Sequence, residues 1–162
     1  RGGAFLDLNG RTDAVGPLTL GASTGSDEGF VTTGAGTLRL TGDVTRVVSA
    51  AAPGTAQVTG RIDLNGATRT FAVPDSTATG AELFVSAAVV GVGGLTKTGA
   101  GTLQFGGTAA NTYAGLTAVT GGTLQLVKDA NVAAVPGALA VGAGATVESF
   151  GANLIADAAA VT

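Results

Sequence analysis

Apolar residues along this chain recur at every second position, the spacing of short strands with one buried face. Thr37-Leu38-Arg39-Leu40, Thr102-Leu103-Gln104-Phe105 and Thr123-Leu124-Gln125-Leu126 all alternate in this way, and residues 5–8, 61–64, 69–73 and 145–148 do the same. Each run is bounded by Gly, Asn or Pro, as strands ending in tight turns are. The more continuous apolar run from Leu83 to Val92 predicts a strand or strand pair covered on both faces. The tail Ala156–Ala160 permits a helical turn, with Val161-Thr162 pulling it back towards strand.

These units recur. Thr33-Gly-Ala-Gly-Thr-Leu38 returns as Thr98-Gly-Ala-Gly-Thr-Leu103, and Leu6-Asp-Leu-Asn-Gly10 returns as Ile62-Asp-Leu-Asn-Gly66. A looser unit at 118–126 is echoed at 139–147. Irregular repetition of strand and turn every ~20–25 residues is the mark of a β-solenoid, in which each coil buries its apolar face against its neighbours. The sequence therefore predicts an all-β chain, one solenoid domain over residues 1–162, with about seven coils at that pitch. Asn9-Gly10 and Asn65-Gly66 directly follow strands, and both residue types accept the positive φ that a corner needs. They are candidate structural corners or members of an internal amide ladder; a ligand role for the asparagines is the competing reading.

Composition narrows the chemistry. Charged residues make up 12% and apolar ones 45%, so the chain is not a charged disordered tail, and its 28 glycines have no collagen period. A net charge of −3 with eight scattered cations argues against nucleic acid as a partner. There is no His, Cys, Met or Trp, which removes disulfides, the usual zinc sites and the commonest general base. Gly21-Ala22-Ser23-Thr24-Gly25 has the spelling of a nucleophile elbow, but no histidine exists to take the serine proton. Residues 98–127 and 130–147 carry no formal charge, but neither stretch is an unbroken aliphatic run of ~20 residues, so no membrane insertion is expected of this segment.

Two acidic features remain. Asp7 and Asp63 occupy equivalent strand positions, and a pair of carboxylates lining one face is what glycoside hydrolysis requires. Solvated strand positions are the simpler reading, and an activity is not expected. Gly25-Ser26-Asp27-Glu28-Gly29 offers turn oxygens to one hard cation, or is a plain acidic loop; no cofactor and no established metal site are expected.

Residues 93–127 contain Gly-Gly-Leu-Thr-Lys-Thr-Gly-Ala-Gly-Thr-Leu-Gln-Phe, then Asn111-Thr-Tyr-Ala-Gly, then Thr120-Gly-Gly-Thr-Leu-Gln-Leu. This string resembles the autotransporter-associated β-strand repeat, also called the passenger-associated transport repeat. The resemblance implies a right-handed parallel β-helix, secreted or carried on the surface of a Gram-negative-type bacterium, and brings no catalytic residues with it. The family places a tyrosine where Tyr113 stands, for which a corner or packing role is expected. Neither a signal peptide nor a C-terminal membrane barrel is read in these residues, which leaves the export route open.

The ends carry no evident capping element, and Ala160-Val-Thr162 joined to Arg1-Gly-Gly-Ala-Phe-Leu-Asp-Leu8 reads like the interior unit 118–126. The chain is expected to be a mature product, a fragment or one period of a tandem array. Self-association head to tail would use Gly3, Ala4, Phe5, Leu6 and Leu8 at one end and Leu154, Ile155, Val161 and Thr162 at the other. The expected function is a structural, non-enzymatic module of an extracellular filament or surface layer. The alternatives are a stalk, or an adhesin passenger whose lateral face binds glycans or other surface proteins; a glycan binder should expose aromatics in a line.

Overall fold

The alternating runs form strands of three or four residues, each too short to persist alone. Their backbone groups are met by the strand one coil away. A computed structural model describes residues 4–21, 28–49, 54–77 and 80–162. The first coil contains Phe5–Asp7 (β1), Asp13–Val15 (β2) and Leu18–Leu20 (β3), and the second Phe30–Thr32 (β4), Leu38–Leu40 (β5) and Val44–Arg46 (β6). The third has Ala56–Thr59 (β7), Arg61–Asp63 (β8) and Arg69–Ala72 (β9), and the fourth Leu83–Val85 (β10), Ala88–Val90 (β11) and Leu95–Thr98 (β12). Thereafter two strands are formed per coil: Thr102–Phe105 (β13) with Thr117–Val119 (β14), Thr123–Leu126 (β15) with Leu139–Val141 (β16), and finally Thr146–Ser149 (β17).

All pairings between these strands are parallel, and they build three sheets. One has seven strands in the order β1-β4-β7-β10-β13-β15-β17; one has six, β16-β14-β12-β9-β6-β3; the third has four, β11-β8-β5-β2. This is an all-β solenoid with no helix among the described residues. Five steps separate the outer strands of the six-stranded sheet and six those of the seven-stranded one, so the chain makes five to six turns, slightly fewer than the seven coils that the repeat pitch suggests. Coil length explains the difference. Successive partners in the seven-stranded sheet lie 25, 27 and 27 residues apart in the early coils, from Phe5 to Phe30, Gln57 and Phe84. Only the later steps, to Gln104, Gln125 and Glu148, shorten to 20, 21 and 23.

The seven-stranded sheet sends two stacked columns into the core. Val31, Val58, Val85, Phe105 and Leu126 follow one another inward from the seven-stranded sheet, beside Ala56, Leu83, Leu103 and Leu124. All nine are buried. In-register stacking makes each such side chain the floor for the next coil, so a truncated one leaves a cavity between two rungs.

The local repeats turn out to be corner modules rather than whole coils. Thr33–Leu38 joins the seven-stranded to the four-stranded sheet, whereas its copy Thr98–Leu103 joins the six-stranded to the seven-stranded one. The Leu6–Gly10 and Ile62–Gly66 pair behaves likewise, leaving β1 in one case and β8 in the other. Only the looser unit recurs on consecutive coils, where 118–126 lies against 140–149 in register. The run Leu83–Val92 is the strand pair β10–β11, but its outer face is open. Phe84 is half-exposed and Val92 exposed, because each sheet has the core on one side only. The alanine-rich tail is turn and bridge: Ile155 pairs with Val135 and Val161 with Leu139.

Replacing Leu103 by Ala should cost about 2–5 kcal/mol in urea unfolding. Thr123→Ala, on the outer face of the same sheet, should change stability by less than about 0.5 kcal/mol.

Candidate functional surface

Alternation in the seven-stranded sheet sends every second side chain outward, and strict register lines them up along the axis. Phe5 stands beside Phe30, Phe30 beside Gln57, Gln57 beside Phe84, Phe84 beside Gln104, Gln104 beside Gln125, and Gln125 beside Glu148. Every side chain but the last is an uncharged aromatic or primary amide. The Phe5 and Phe30 rings stack with centroids 5.3 Å apart and planes 6° from parallel. Gln104 Nε2 donates to Gln125 Oε1 at 3.0 Å, and Gln125 Nε2 donates to Glu148 Oε2 at 2.9 Å. A second outward column, Thr102, Thr123 and Thr146, runs alongside this amide ladder. No Lys or Arg occurs in any of the seven strands.

A groove of about 680 Å³ opens at the β1 end of this face. Among the described residues it is lined by Ala4, Phe5, Glu28, Gly29, Phe30, Thr55, Gln57 and Thr59. Phe5 is 60% exposed, an unusual state for a phenylalanine. Phe84 lies further along the column against Gly106, where a Cβ would come within 2.4 Å of the ring. The glycine makes room for the ring to rest on the next rung.

The corners hold most of the polar chemistry. Asp7 Oδ1 accepts from the Asn9 N–H at 2.7 Å, and Asp63 Oδ1 from the Asn65 N–H at 2.8 Å. Asn9 and Gly10 have φ of 49° and 77°, and Asn65 and Gly66 have 54° and 76°. Each Asp-Leu-Asn-Gly is thus an Asx turn, with the carboxylate closing the loop. The two aspartates sit in different sheets and do not line one face, so the structure does not assemble them as a carboxylate pair. The asparagine ladder forms elsewhere, where Asn153 Nδ2 donates to Asn131 Oδ1 at 2.7 Å.

Three cations are turned inward at the corners, which the sequence did not foreshadow. Arg46 donates from Nε to Glu82 O, from one terminal nitrogen to Leu20 O and Val47 O, and from the other to Gly54 O. Lys97 Nζ donates to Thr98 O, Gly99 O and Gly121 O at 3.2, 2.8 and 2.9 Å, and Lys128 Nζ to Gly106 O and Ala109 O at 2.7 and 2.8 Å. Such donors satisfy carbonyls that a corner removes from the ladder. Asn111 does the same for the four-stranded sheet where it stops: its Oδ1 accepts from Val89 N–H, and its Nδ2 donates to Ala134 O at 2.7 Å. Tyr113 is buried, its hydroxyl 2.6 Å from Thr117 Oγ1. The buried Glu82 accepts from Ser76 Oγ and from the Thr102 N–H.

The residues expected to act at the ends lie as follows. Ala4 and Phe5 are exposed, Leu6 packs partly on the core and Leu8 is buried, while Gly3 lies outside the described residues. Leu154 is buried, Ile155 half-buried, and Val161 and Thr162 exposed. Thr162 is held by a hydrogen bond from its N–H to Leu139 O at 3.0 Å. The two groups occupy opposite ends and do not meet within one molecule. Gly21 is the one residue of the elbow-like string that is described; Asp27 lies outside the described residues, and Glu28 is exposed at the groove.

The passenger-associated-transport-repeat model matches residues 30–45 and 95–126, less than half of the chain. The first segment spans β4, β5 and the start of β6, and the second spans β12 to β15; each opens with a strand, a glycine corner and a further strand. Two segments of this parallel β-solenoid thus match the passenger-associated transport repeat. The chain carries passenger-associated transport repeats, a family that implies a secreted or cell-surface protein of Gram-negative bacteria. No curated protein and no solved structure matches the chain.

The buried polar groups give stability a pH dependence. Burial lowers Lys97 to about 8 from its ordinary 10.5, with Glu82 opposing, and burial lowers Lys128 to about 8. These are the chain's only lysines. Between those values the unfolded chain binds more protons than the folded one, so stability rises with pH. Burial raises Tyr113 to about 12 from its ordinary 10.0, with its Thr117 hydrogen bond opposing, so stability falls as pH climbs from 10 towards 12. Urea midpoints measured from pH 7.5 to 11.5 should pass through a maximum near pH 10, and a monotonic decline would contradict the burial of these groups.

Proposed function

We propose that this passenger-type solenoid is a non-enzymatic structural module of a bacterial extracellular filament or surface layer, lengthened at its end coils. The extension is by further copies of the chain or by tandem coils of one polypeptide. The observation that supports this is the direction of the outermost strands. β1 and β17 are the two edges of one sheet and run parallel, so a translated copy presents its β1 to β17 in the sense of every interior pair. Continuing the columns sets Glu148 beside the next Phe5, Ser149 beside Leu6 and Val147 beside Ala4. Such a contact repeats by translation without closing, and the product is a rod of indefinite length. Its stiffness comes from ladder hydrogen bonds and stacked cores, with self-association as the main partnership and neither nucleic acid nor membrane insertion required.

A second reading, an adhesin passenger, is favoured by one observation: three phenylalanines stand in line with three glutamines on the outer face. Both readings use the same fold, one through its ends and the other through its side.

Electron microscopy across a concentration series should show filaments whose axial repeat is roughly 34 Å, seven strands at ~4.8 Å each. Isolated short rods at every concentration would overturn assembly through the end coils.

A further inference from the structure

We propose that the outer column of the seven-stranded sheet is a track for a neutral, linear polysaccharide laid along the solenoid axis. This rests on the adhesin reading of that face and names its ligand. The shape of the track is the first argument. Its residues come from the seven strands of one sheet in unbroken register, so the column runs the length of the sheet, as a linear polymer would require. Successive rungs lie ~4.8 Å apart, about the length of one sugar unit in an extended chain.

The chemistry is the second. Aromatic side chains offer an apolar surface to the C–H faces of sugar rings, and primary amides both donate to and accept from hydroxyl groups. The ladder from Gln104 through Gln125 to Glu148 uses one amide hydrogen of each glutamine and leaves the second for a ligand. At the β1 end, the groove combines the stacked Phe5–Phe30 pair with the Gln57 amide and the Thr55 and Thr59 hydroxyls, an apolar floor with a few polar groups converging on it.

Charge selects among polymers. The seven strands contain no cation, Glu148 closes the column and Glu28 borders the groove. Phosphorylated, sulfated or uronate-rich chains would find carboxylates and no guanidinium to receive them. A neutral glycan meets no such repulsion, and its hydroxyls are matched by the amides.

Affinity electrophoresis through gels containing neutral β-glucans, together with pull-down on insoluble cellulose and chitin, tests this with the whole chain. Wild type should be retarded or captured by at least one neutral polysaccharide, and not by alginate. The pairs Phe5→Ser with Gln57→Ala, and Gln104→Ala with Gln125→Ala, should each weaken binding at least tenfold. Arg39→Ala in the four-stranded sheet should leave it unchanged, and circular dichroism of every variant reports that the fold is kept. Capture by no neutral polysaccharide, equal retardation by alginate, or binding that survives both double substitutions in folded protein would overturn the proposal. Adhesion of wild type to protein-coated surfaces, measured in parallel, separates the two failures: adhesion there without glycan capture overturns the ligand and leaves the adhesin reading standing, whereas loss of both overturns the two together.

Discussion

The structure of this molecule depends on one constraint: strands of three or four residues leave more of the described backbone outside the strands than in them. Within a strand, N–H and C=O groups are met by the coils on either side. At a corner the chain turns away, and its buried carbonyls and amides need other partners or they cost about 1–3 kcal/mol each. The solutions differ by position. Asp7 and Asp63 close Asx turns in front of Asn-Gly pairs with positive φ. Lys97, Lys128 and Arg46 reach inward to groups of carbonyls. Asn111 replaces a strand with one side-chain amide. A chain with few charged residues places three of its eight cations inside.

The same constraint separates structure from function. Polar groups spent on corners are committed to the backbone, and what remains for recognition is what the ladders project outward. On the seven-stranded sheet that is a column of planar, uncharged side chains, repeated because the register repeats. Register also fixes the direction of the outermost strands, so that β1 and β17 are the two edges of one parallel sheet. A solenoid therefore offers two kinds of surface, lateral and terminal.

Strand positions and fold class were legible because alternation is a local signal. The runs at 38–40, 102–105, 123–126 and 61–63 all form the strands that their patterns indicate. The coil count was slightly overestimated because a pitch of ~20–25 residues fits the later coils but not the early ones of 25 to 27, while the copies of Thr33–Leu38 and Leu6–Gly10 mark single corners. A turn module recurs wherever a corner of that shape is needed, so its spacing does not measure a coil. The outer column was hidden for a related reason. Its members lie 20 to 27 residues apart at irregular intervals, and nothing in the sequence links Phe5 to Gln57 or Gln104 until the register is known. Lys97 and Lys128 were equally opaque, because carbonyls that hold them come from other coils, Gly121 for Lys97 and Gly106 and Ala109 for Lys128.

The account stands on continuous in-register stacking from β1 to β17, and the absence of native cysteine makes it directly measurable. Spin labels attached at Phe5→Cys and Glu148→Cys lie in one column, six steps apart. Pulsed electron paramagnetic resonance should return a single narrow distance near 29 Å, from ~4.8 Å per step with a small allowance for the label arms. A broad distribution, or a distance far from that value, would contradict the rigid column on which the proposed rod and the proposed lateral track both depend.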